Sequence, residues 1–160
     1  MVLCGILAAI MAALQVAMSP LPNLEPVSLL VLVYTRVFGW QIFYILAVFI
    51  LVEGLVFGFG LWWLSYLYVW PVWVLMVRML SRKDTDRPAI TWATASGAFG
   101  LGFGALCALP YLVGGPWAAV SYWIAGIPFD LMHCGGNFVL ALVLANPLYQ
   151  LLKQLKERIL

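Results

Sequence analysis

Charged residues are scarce in this chain: Asp, Glu, Lys and Arg make up 9% of its 160 residues, and histidine occurs once, at His133. A soluble domain carries roughly 25% charge, so a solvated globule is excluded. The net charge of +2 is too small for a nucleic-acid surface, and no nucleic-acid partner is expected. Cysteine is just as sparse. Cys4, Cys107 and Cys134 are odd in number, far apart and each set in apolar sequence. That pattern excludes a disulfide framework or a thiolate metal site and leaves them as small packing residues. A single histidine cannot build a divalent-metal centre, so no metal or cofactor is expected. Without a second imidazole base or a serine in a nucleophile elbow, a hydrolytic triad finds no support. There is no Gly-xxxx-Gly-Lys-Ser/Thr phosphate loop, hence no ATP site. The first apolar segment lacks a basic leader and an A-x-A cleavage site, and reads as a retained helix instead of a signal peptide.

What the chain has in plenty is apolar sequence: 66% of its residues are hydrophobic and the mean hydropathy is +1.06. A helix needs about 20 apolar residues to span a bilayer. The runs predict an all-α integral membrane protein, one membrane domain over residues 1–160, with helices at approximately 2–18, 27–38, 41–58, 61–80, 89–113 and 128–152. Prolines in "SPLPNLEP" (Ser19 to Pro26) end the first. The second is short enough to lie inside the bundle instead of crossing fully. Between the last two, "GGPWAAVSYWIAG" suits a short interfacial helix. Cytoplasmic loops of membrane proteins collect Lys and Arg. With both termini cytoplasmic, Arg36, Arg78, Arg82, Lys83, Arg87, Lys153, Lys156 and Arg158 all fall inside, which accounts for all 8 basic residues. The expectation is therefore a six-transmembrane-helix bundle with both termini in the cytoplasm.

The remaining polar groups concentrate toward the outer side. Asn23 and Glu25 sit in the first outer loop, and Asp130, His133 and Asn137 share one face of the last helix at 3.6 residues per turn. Ionisable groups within a membrane turn to a protein interior or a cavity. Such a face can supply interhelical hydrogen bonds for packing alone, or the polar side of a ligand pocket. In "LWWLSYLYVWPVW", Trp63, Tyr66 and Trp70 recur at i, i+3 and i+7. Their rings suit the wall of a planar ligand, whereas Trp62, Trp63, Trp117 and Trp123 also suit an interfacial belt. Glu53 fits either the pocket or an interhelical anchor. In "LAAIMAAL", Ala8 with Ala12 and Ala9 with Ala13 form small-xxx-small pairs, as do Gly100 and Gly104 in "GAFGLGFG". The glycines favour internal packing; the alanines can equally dock another membrane protein.

The alanine groove, the outer "PLPNLEPVSLLVLVYTRVFG" element, the aromatic fourth helix and the closing "GIPFDLMHCGGNFVLALVLANPL" together resemble the substrate-binding S components of energy-coupling factor (ECF) transporters. The resemblance covers nearly the whole chain. It implies a non-enzymatic subunit of an ABC-type importer in a bacterial or archaeal cytoplasmic membrane. Such a subunit captures a water-soluble vitamin or precursor from outside, then associates with a transmembrane coupling subunit and two ATPase subunits. The coupling contact maps onto Ala8, Ala9, Ala12 and Ala13. The pocket regions it implies are the first outer loop, the outer fourth helix, the fifth-to-sixth loop and the outer sixth helix. They add Trp117, Tyr122 and Trp123 to the candidates Asn23, Glu25, Trp63, Tyr66, Trp70, Asp130, His133 and Asn137. Thiamin or pyridoxine precursors, pyridoxine itself and cobalamin all remain open. The competing expectation is a small membrane enzyme with Asp130 and His133 as an acid/base pair.

Overall fold

Gly39, with φ of +59°, holds a backbone conformation that a continuous α-helix of L-residues cannot, and it divides the central apolar stretch of the chain. Before it lies α2 (Val27–Phe38); after it, a 3-10 turn (Gly39–Gln41) leads into α3 (Ile42–Phe57). The remaining helices are α1 (Val2–Met18), α4 (Leu61–Ser81), α5 (Ala89–Cys107) and α6 (Pro116–Ile159), with a second 3-10 segment at Leu109–Gly114. These elements come from a computed structural model that describes residues 2–20, 25–82 and 87–159. The architecture is all-helical, without a strand among the described residues. Among the described residues four helical stretches are long and apolar enough to cross a membrane: Val27–Phe57, Leu61–Ser81, Ala89–Gly114 and Pro116–Arg158. The chain is thus built as a membrane-embedded protein, with α1 as a shorter fifth apolar helix.

Burial follows from composition. α2 is apolar on nearly every side, and a helix of that kind belongs in a bundle interior. Val27 to Arg36 and Phe38 are all buried, packed chiefly by α4 and α6. α1 lies against α3. The most extensive helix pair is α5 with α6. Glycine makes it possible: a methyl on Gly100 would stand 2.8 Å from the His133 carbonyl oxygen, and one on Gly104 would collide with the Asp130 carboxylate. The expected internal role of these two glycines is what the packing shows.

The last helix departs from its expected bounds. Residues 116–127, read from sequence as a separate interfacial piece, join the sixth segment in one helix of 44 residues. Pro116 occupies the first helical position, where its missing N–H has no partner to lose. Pro128 removes one backbone donor, but intact apolar turns on both sides carry the helix through it. At 1.5 Å per residue α6 is about 65 Å long, roughly twice a hydrocarbon core, so it must extend beyond the apolar layer.

Candidate functional site

The end of α3, the start of α4, the end of α5 and the first half of α6 meet at one end of the bundle, where Glu25 leads into α2. Asp130 is the best-defined polar group there. It is 5% exposed, its Oδ1 accepts the Gly104 N–H at 2.9 Å, and its buried Oδ2 has no hydrogen-bond partner among the described residues. Asp130 forms part of the wall of a cavity of about 390 Å³ with Phe103, Cys107, Tyr122, Gly126 and Phe129. That volume lies within the range of small-molecule sites.

Two more carboxylates flank it. Glu53 is 2% exposed, its Oε1 has no hydrogen-bond partner among the described residues, and it lies within electrostatic reach of Glu25 and Tyr66. Glu25 keeps part of its surface exposed, yet its Oε2 is fully buried. Desolvation pushes its carboxyl above the usual carboxylate range, and a Gln15 side-chain hydrogen bond pulls more weakly the other way. Cys107 links the two sides, standing near Asp130, Glu25 and Ser65. Among the described residues no group of three or more His, Cys, Asp or Glu converges as a metal site.

The other sequence-derived candidates divide. Tyr66 belongs to this end and stacks on Phe49 with ring centroids 6.4 Å apart. Tyr122 lines the cavity and stacks on Tyr111 at 4.0 Å. Trp63 donates its Nε1–H to the Ile50 carbonyl at 2.8 Å. Trp70 is fully buried among Phe49, Tyr66, Phe99 and Phe103, which makes it core. His133 sits between α5 and α6, edge-on to Phe103 at 4.8 Å, and Asn137 donates to the Ser96 carbonyl at 3.4 Å. Helical phase put Asp130, His133 and Asn137 on one face correctly; that face meets α5, and of the three Asp130 alone lines the cavity. Among the described residues no hydrogen bond joins Asp130 to His133. Trp117 is 80% exposed and Trp123 is also turned outward, as residues of an interfacial belt are. Asn23 lies outside the described residues. In α1, Ala8 and Ala12 are buried in the bundle while Ala9 and Ala13 are exposed.

No known protein family, characterised protein or solved structure matches this chain. The functional reading rests on the site itself. Phe103, Cys107 and Phe129 were not singled out from sequence as site residues. Phe103 and Cys107 lie four apart, on one stripe of α5 beside the Gly100 and Gly104 stripe, and that spacing was the available signal.

Proposed function

We propose that this chain is the substrate-binding S component of an ECF-type importer, taking up a water-soluble vitamin or vitamin precursor. In this reading the bundle crosses a bacterial or archaeal cytoplasmic membrane six times with both termini inside, so the cavity beside Asp130 faces outward. Captured ligand passes inward when a transmembrane coupling subunit and two ATPase subunits engage the bundle. The observation that carries the proposal is the cavity, lined by aromatic rings and a buried carboxylate at the end where the described residues include no Lys or Arg. Apolar walls with a few fixed polar groups are the composition of a binding site. The exposed half of the alanine groove, Ala9 and Ala13, is the contact offered to the coupling subunit, since Ala8 and Ala12 are used within the bundle.

An enzyme built on an Asp130 and His133 pair needs the two groups to act on one atom, whereas each is engaged separately, by Gly104 and by Phe103. Native mass spectrometry of the purified chain separates the readings. One unaltered small molecule retained per chain is expected; catalytic conversion of added vitamins would exclude the binding role.

A further inference from the structure

The chain has six acidic residues, and they divide evenly. Asp84, Asp86 and Glu157 share segments with Lys and Arg. Glu25, Glu53 and Asp130 stand together at the other end, where the described residues include no Lys or Arg. A buried carboxylate without a counter-charge is costly in an apolar setting. Asp130 is nine-tenths buried and lines the cavity, its Oδ1 is fixed by Gly104, and its Oδ2 has no hydrogen-bond partner among the described residues.

Building on the binding role proposed above, we infer that the ligand is an organic cation, a protonated amine or quaternary nitrogen on a flat ring, and that Asp130 is its counter-charge. Three features of the site agree on this class. Phe103, Tyr122 and Phe129 line the cavity, and aromatic rings attract cations while adding area for a flat ring. The acids do not converge as metal ligands among the described residues, and a space of about 390 Å³ is many times the size of a bare ion. Glu53 and Glu25 lie at the same end without lining the cavity, both within electrostatic reach of Tyr66 and Glu25 also of Cys107. A carboxylate- or phosphate-bearing ligand would meet Asp130, with two further acids nearby and no Lys or Arg at this end among the described residues. Its entry is disfavoured by the same field that draws a cation in.

The test uses the full chain in nanodiscs, with tryptophan fluorescence or calorimetry reporting binding of probes that differ in charge. Thiamin is a permanent cation; pyridoxamine and pyridoxine share a ring but differ by an amine; pantothenate and biotin are anions. Thiamin or pyridoxamine should bind, and pyridoxamine should exceed pyridoxine by about tenfold. Asp130→Asn keeps an oxygen for the Gly104 N–H. It should weaken the cations by about tenfold or more while changing pyridoxine little. Glu53→Gln should weaken the cations by only about threefold, as a charge acting at longer range. An unchanged melting temperature of each variant shows that the fold is intact. Preference for an anion, or an equal loss for all probes in Asp130→Asn, overturns the charge assignment but leaves the binding role standing. Binding of none of the five overturns both.

Discussion

The two ends of the bundle treat charge in opposite ways. At the basic end the protein supplies its own partners. The Arg36 guanidinium lies between the Trp92 and Tyr149 rings at 4.4 and 3.9 Å and donates to Asn146 Oδ1 at 3.1 Å. Lys156 donates to the Val37 carbonyl at 2.9 Å and lies over Phe38, Arg78 lies over Trp40, and Arg87 donates to the Leu80 carbonyl. At the acidic end the buried oxygens Glu25 Oε2, Glu53 Oε1 and Asp130 Oδ2 have no hydrogen-bond partner among the described residues. Cations at the basic end are tied into the structure, whereas the anions at the acidic end keep bonding capacity in reserve. In a membrane protein the first arrangement stabilises and the second marks a functional path.

The contrast yields graded expectations. Arg36→Met keeps the apolar stem but removes a buried cation–π sandwich and a charged hydrogen bond. It should destabilise the protein by about 3 kcal/mol, read from thermal unfolding in detergent. A cost below 1 kcal/mol would mean that the basic end is not self-sufficient. Gly104→Ala acts on the acidic end, where the new methyl must displace the short Asp130 side chain from its backbone donor. Its stability cost should be smaller, about 1–2 kcal/mol, and vitamin binding should fall with it. If binding survives unchanged, Asp130 is not held in place by Gly104. Glu25 should give the smallest effect. Its folded-state carboxyl titrates above the ordinary value of 4.5, so the folded form holds the proton more tightly than the unfolded chain. The resulting stability is full below that value and is lost as pH rises through the raised one. A pH series of melting temperatures should fall over that window in the parent chain and flatten in Glu25→Gln. An unaltered slope would place the buried titration elsewhere.

Much of this was legible in the residues, because membrane composition and helical period are local properties. Apolar runs gave the helices within a few residues for α1 to α4, and the positions of Lys and Arg gave the chemical asymmetry of the two ends. Continuity was harder to read. Proline at Pro128 looked like a boundary, yet one missing hydrogen bond does not stop a helix whose neighbouring turns remain paired.

Which residues meet across helices was settled by packing alone. The sequence determined that Asp130, His133 and Asn137 share a face, and that Ala8, Ala9, Ala12 and Ala13 form a groove, since both follow from 3.6 residues per turn. The tertiary structure decided that the polar face meets the glycines of α5, leaving Asp130 alone to line the cavity, and that Ala8 and Ala12 turn inward. It also brought Glu53 and Cys107 into the acidic cluster. A helix's period fixes how its own side chains are arrayed, but its rotation and its partner are set by which close-packed arrangement of all the helices buries the most surface at the least strain.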